Sequence, residues 1–138
     1  MRVHLIDART GKPIFKKPVR LWRLESSNQF RPGHLEEKTD TSGVASFNIS
    51  EPLPQYFQFH IGMGGYWDEC TYGNDQDMYM AAEIMNSGLV IKGTCSRPGL
   101  PKPNLTFDPK PGEIYLLAVH LNLWEWIRYC AYRTGGCD

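Results

Sequence analysis

No stretch of about eighteen apolar residues occurs in the chain, so the sequence offers no membrane-crossing helix. It has no charge excess either. Fifteen basic side chains face fifteen acidic ones, and Lys16-Lys17 is the one adjacent basic pair. Nucleic-acid-binding domains carry a basic stripe, so no nucleic-acid partner is expected. The spacings of known catalytic and cofactor sites are missing as well: there is no Gly-x-Ser-x-Gly elbow, no Gly-x-x-x-x-Gly-Lys loop, no His-x-His and no His-Glu-x-x-His. Gly62-Met-Gly64-Gly65 follows a strand pattern but lacks the third-glycine placement and the βαβ context of a dinucleotide site. These absences argue against an enzyme and name no cofactor. Met1 to Asp7 lacks the apolar core of a signal peptide, and no internal repeat is visible.

At 138 residues, with 41% hydrophobic and 22% charged side chains, the chain is expected to form one domain with a real core. It holds four cysteines: Cys70, Cys95, Cys130 and Cys137. None sits in a Cys-x-x-Cys pair, the count is even and the spacing wide, which suits disulfides better than zinc. Among the possible pairings, Cys70–Cys95 with Cys130–Cys137 is preferred. The first bridge would close a loop of about 25 residues, which constrains the unfolded chain by roughly 3 kcal/mol. Disulfides persist in oxidising compartments, so a mature secreted or periplasmic protein is expected.

The most informative stretch runs from Lys38 to Asn48. Asp40, Ser42 and Gly43 are turn formers, and the residues after them alternate small or polar with apolar. That pattern predicts a tight turn feeding a half-buried strand. Similar grammar surrounds it. Strands are predicted over 2–7 and 18–25, separated by a turn in which Gly11 can supply a positive φ. A polar loop follows over 26–34, then a short edge strand over 36–39 and the strand 44–49, which the prolines of 51–54 break. Residues 55–61 alternate cleanly, with Phe57, Phe59 and Ile61 against Tyr56, Gln58 and His60, and predict a central strand.

Beyond Gly62 lies a glycine-rich excursion over 62–88. A helix is predicted over 77–86, capped by Asp77 and stopped by Asn86-Ser-Gly88. A strand over 89–92 precedes the segment 93–112, whose five prolines predict an irregular surface path with polyproline character. Residues 113–121 are apolar on both faces and predict a strand buried on both. Leu123, Ile127 and Cys130 fall at helical spacing after Asn122, which predicts a short terminal helix. The sum is an all-β sandwich of seven strands with one short helix in the excursion and a second at the C-terminus.

Three pieces resemble the carboxypeptidase-regulatory-like, or transthyretin-like (prealbumin-like), β-sandwich modules: Thr10-Gly-Lys-Pro-Ile14, Pro18-Val-Arg-Leu21 and Thr39-Asp-Thr-Ser-Gly-Val-Ala-Ser-Phe47. They cover about the first 62 residues. The second half resembles a bacterial variant through Cys70, Ser87-Gly88, Cys95, Pro111-Gly-Glu113 and Trp124-Glu-Trp126. The resemblance implies a Greek-key sandwich with accessory, adhesive or binding roles and carries over no catalytic residue. Hydroxyisourate hydrolases share the architecture but end in a Tyr-Arg-Gly-Ser type tail; this chain ends Tyr132-Arg-Thr-Gly-Gly-Cys-Asp138, so that activity has no support.

Aromatics carry the remaining signal. Tyr66, Trp67, Tyr72 and Tyr79 lie in or beside the excursion, where large amphipathic rings suit protein contacts or sugar stacking. For Trp124 and Trp126, core packing is the expectation. Asp68, Glu69, Asn74, Asp75 and Asp77 offer oxygen ligands near glycines but fit no EF-hand order, so a solvated acidic loop is preferred to a calcium site. His60 and His120 fall on predicted core strands but lack any ligand spacing, so no metal is assigned. Of the sequons Asn48-Ile-Ser50 and Asn104-Leu-Thr106, only Asn104 is expected outside a strand. The function expected is a non-catalytic binding or assembly module working through a protein partner or self-association, with carbohydrate binding, to a polysaccharide, as the alternative.

Overall fold

The computed structural model describes residues 1–26, 33–62, 67–69, 78–91, 105–125 and 127. They form β1 (Arg2–Asp7), β2 (Pro18–Leu24), β3 (Leu35–Lys38), β4 (Val44–Ser46), β5 (Tyr56–Ile61), β6 (Trp67–Glu69), β7 (Tyr79–Met80), α1 (Ala81–Ser87), β8 (Leu89–Ile91) and β9 (Glu113–His120). One sheet runs β4-β1-β9-β6, with β8 also on β9, and the other runs β3-β2-β5-β7. β1 and β9 are parallel from Arg2↔Glu113 to Asp7↔Ala118. β8 pairs with the first half of β9 and β6 with its last residues, so two short strands share that strand.

Alternation places the core. Val3 and Leu5 of β1 and Ile114, Leu116 and Ala118 of β9 face Val19, Leu21, Phe57, Phe59 and Ile61 of the second sheet. Ala81 and Ile84 of α1 join the same cluster. The other face of β9 is also covered: Leu117, Val119 and Leu121 pack with Ile6 under Leu105, Phe107 and Tyr115. That explains why β9 reads as apolar on both faces. The proline-bearing segment therefore does more than run over the surface where it is described, since Leu105 and Phe107 lie against this second cluster.

The turn at residues 39–43 is built as its sequence predicts. The Asp40 carboxylate Oδ1 accepts the N–H groups of Ser42 at 2.8 Å and Val44 at 3.0 Å. Gly43 has φ 74° and packs so tightly that an added Cβ would lie 2.7 Å from Pro13 Cβ. Pro13 belongs to the other turn motif, so the two motifs meet over β1, where Leu5 N–H donates to Gly43 C=O and Ile14 N–H to Leu5 C=O.

Three expectations are corrected. Nine strands are present among the described residues, not seven, because the excursion itself supplies β6 and β7. Both are too short to show a period and exist by pairing with β9 and β5. The helix begins at Ala81, not near Asp77, since Tyr79 and Met80 pair with Phe57 and Tyr56 and the Ala81 N–H donates to Gln55 C=O. Its end is where the sequence puts it, at Gly88 with φ 74°, where an added Cβ would lie 2.5 Å from the Lys110 carbonyl oxygen. The strand expected over 44–49 stops at Ser46, which leaves Asn48 exposed beyond it. Among the described residues no helix is long and apolar enough to cross a membrane.

Candidate binding surface

Of the four aromatics that the sequence singles out, Trp67 and Tyr79 fall among the described residues. Tyr66 and Tyr72 lie outside the described residues, as do Cys70, Cys95, Cys130 and Cys137. Trp67 is not on a loop: it begins β6 and is the ladder partner of His120. Asp68 and Glu69 belong to the same strand, paired with Val119 and Ala118, so the acidic run is partly sheet. Tyr79 turns inward, half-buried against the core with its ring 6.2 Å from Phe59. Its ring face is therefore engaged within the fold. His60 and His120 sit in different sheets, and His60 shares the outer face of its sheet with Trp22, 6.4 Å between ring centres. No two-histidine site forms between them.

An exposed surface does form at the C-terminal end of β9. Residues 123–125 and 127 are helical, and Asn122 starts the turn with a reciprocal capping box. Its N–H donates to Glu125 Oε2 at 2.8 Å while the Glu125 N–H donates to Asn122 Oδ1 at 2.9 Å. Arg9 Nη2, from the β1–β2 connection, donates to Glu125 Oε1 at 2.6 Å and ties the turn to the sandwich. That bond is the main reason the Glu125 carboxyl is held below the usual range. The turn presents Leu123 at 55%, Trp124 at 74% and Ile127 at 47% exposure. Core packing of Trp124 was the sequence expectation and is overturned. The signal that could have found this surface is the Asn-x-x-Glu spacing of Asn122 and Glu125, which sets the helix start and hence which residues follow it on the outside.

The remaining polar groups hold the sheets. His4 lies flat on Tyr115, its partner in the β1–β9 ladder, with ring centres 4.4 Å apart, and Tyr115 stacks on Phe107 at 4.7 Å. Glu113 Oε1 stands 3.5 Å from both Arg2 Nη1 and His4 Nε2. Burial works to raise the Glu113 carboxyl, but the Lys110 N–H bond and these two neighbours outweigh it and lower it. Burial likewise raises the Tyr115 phenol. On the other sheet Arg20 Nε donates to Glu36 Oε2 at 2.7 Å, and this bond lowers the Glu36 carboxyl. Among the described residues no group of three His, Cys, Asp or Glu side chains is placed to hold a metal ion.

Comparison of the chain with protein-family models, with curated proteins and with solved structures finds no match.

Proposed function

We propose that this protein is a non-catalytic binding or assembly module, a transthyretin-like Greek-key sandwich that acts outside the cytoplasm through protein–protein contacts. The observation that carries the reading is the turn bearing Leu123, Trp124 and Ile127, large apolar side chains turned to solvent on a turn capped by Asn122 and Glu125. A preorganised turn loses little conformational freedom on docking, and tryptophan is a preferred contact anchor. A second copy of the chain is the occupant that the zero formal net charge favours, because no long-range repulsion keeps copies apart. Strand addition is the weaker route: β3, β4 and β7 at the sheet edges are short, and β3 carries Glu36, Glu37 and Lys38. The transthyretin-like assignment is supported by the two turn motifs falling between β1 and β2 and between β3 and β4, as the resemblance requires. The extracytoplasmic setting rests on the cysteines, paired as Cys70–Cys95 and Cys130–Cys137.

Sedimentation velocity over a concentration series tests the reading. Concentration-dependent association is expected, and it should be lost when Leu123 and Trp124 are both replaced by serine. Association that persists in that variant would place the contact elsewhere. Quenching of tryptophan fluorescence by a soluble polysaccharide, lost in Trp124→Ala, would replace the protein-contact reading with the carbohydrate one.

A further inference from the structure

We propose that Asn48, in the β4–β5 connection, is a modification site that takes an N-linked oligosaccharide. The inference rests on the extracytoplasmic reading, since the transferase and its polyprenyl-diphosphate-linked donor act on secreted chains. Asn48-Ile-Ser50 has the acceptor order, with isoleucine where a proline would abolish it. A strand through these residues would tie the asparagine into a sheet, and the structure has none there. β4 stops at Ser46. Phe47 then exchanges bonds with Met1: its N–H donates to Met1 C=O at 2.8 Å, and the Met1 amino group donates to Phe47 C=O at 2.9 Å. Asn48 comes next and lies outside any strand. Burial alternates from here. Phe47 is buried and Ile49 packs against the core, while Asn48 and Ser50 are exposed. Both acceptor side chains therefore stand on the outer side of the connection.

The fold makes no use of the Asn48 amide, which enters no hydrogen bond among the described residues, so a glycan there displaces nothing. Ser50, by contrast, is held. Arg23 Nη1 donates to its hydroxyl at 2.9 Å, and Arg23 Nη2 donates to its carbonyl at 3.0 Å and to the Pro52 carbonyl at 2.6 Å. The hydroxyl accepts from Arg23 and keeps its own proton to donate. The step is a glycosyl transfer. Asn48 Nδ2 bonds to the anomeric carbon of the oligosaccharide, and that carbon's bond to the diphosphate oxygen breaks. Polyprenyl diphosphate leaves with the electron pair, the amide gives up one proton, and nothing is oxidised. The placement also bears on the fold. β4 ends its sheet, and its Val44-Ala45-Ser46 carries no charge of the kind that guards β3. A glycan two residues beyond that edge stands in the way of a second chain adding to it. Asn104, of the other sequon, lies outside the described residues.

The test is secretion of the full chain, behind a cleavable leader, from a eukaryotic cell that N-glycosylates its exports. Intact mass is measured before and after an amidase that releases N-glycans. Asn104→Gln removes the other sequon, so any glycan left on that variant belongs to Asn48. An oligosaccharide mass increment is expected on it, with release converting Asn48 to aspartate in peptide sequencing. The increment should vanish when Asn48→Gln or Ser50→Ala is added and persist with Ser50→Thr, which keeps the hydroxyl. Asn48→Gln should keep the parent's urea midpoint, so that loss of the glycan is not loss of the fold. A glycan that survives Asn48→Gln, or release at another residue, would overturn the proposal. Alkylation of the same samples separates it from the reading beneath it. Bridged cysteines without a glycan would overturn this site alone, whereas free cysteines without a glycan would overturn the extracytoplasmic setting as well.

Discussion

Arg9 and Glu125 are 116 positions apart in the chain and meet at 2.6 Å. Glu125 caps the helical turn with one carboxylate oxygen and accepts Arg9 with the other, so a single side chain both starts the turn and fixes its place on the sandwich.

Acid should expose this arrangement. Glu125, Glu113 and Glu36 are all lowered in the folded protein, Glu125 mainly by the Arg9 bond. A carboxyl with a depressed folded-state pKa adds stability that is present above the unfolded value of about 4.3 and lost as pH falls through the folded value. The urea midpoint should therefore hold from neutral pH down to about 5 and drop below it. Glu125→Gln should be less stable at neutral pH and show a shallower acid limb. An unchanged limb would assign the acid sensitivity to Glu113 or Glu36 instead.

Three glycines separate conformational strain from collision. Gly112 has φ 76° with only Met85 Cε at 4.0 Å from an added Cβ, so Gly112→Ala should cost about 1 kcal/mol. Gly43 and Gly88 share that conformation but would drive a Cβ to within 2.7 Å of Pro13 and 2.5 Å of the Lys110 carbonyl. Gly43→Ala and Gly88→Ala should each cost more than about 2 kcal/mol by chemical denaturation. Equal losses at all three positions would mean that backbone conformation alone matters.

The large apolar side chains should divide by burial. Phe57 is fully enclosed in the core, so Phe57→Ala should cost about 3–5 kcal/mol. Phe15→Ala and Trp124→Ala should stay within about 0.5 kcal/mol of the parent, since neither side chain is enclosed. A large destabilisation by Trp124→Ala would show that the ring serves the fold and not a partner.

Cysteine state decides the compartment. Alkylation of the oxidised, denatured protein followed by intact-mass measurement should add no label if Cys70, Cys95, Cys130 and Cys137 are bridged. Four labels would return the protein to a reducing environment.

Much of the fold could be read in the residues. The alternation of Phe57, Phe59 and Ile61 against Gln58 and His60 fixes which face of β5 meets the core, and the doubly apolar run of β9 announces cover on both sides. Asp40 specifies its turn by accepting two backbone N–H groups, and Gly43 and Gly88 specify the turn and the end of α1 because few other residues tolerate those backbone angles. The candidate surface was only half legible. Asn122 was recognisable as a cap, and its Asn-x-x-Glu spacing pointed to Glu125 as the partner, but the bond from Arg9 that fixes the turn on the sandwich left no mark in the sequence.

Sequence by itself determined what depends on local period and backbone preference: the all-β class, the longer strands, the two motif turns and the helix stop. Tertiary structure decided what depends on distant partners. β6 and β7 are strands only because β9 and β5 offer free ladder positions, and Tyr79, which belongs locally to a helical pattern, is drawn into pairing with Phe57. The same holds at the surfaces. Whether a tryptophan or phenylalanine is enclosed or left to solvent is set by what packs over it, and no property of Phe15 or Trp124 alone encodes that.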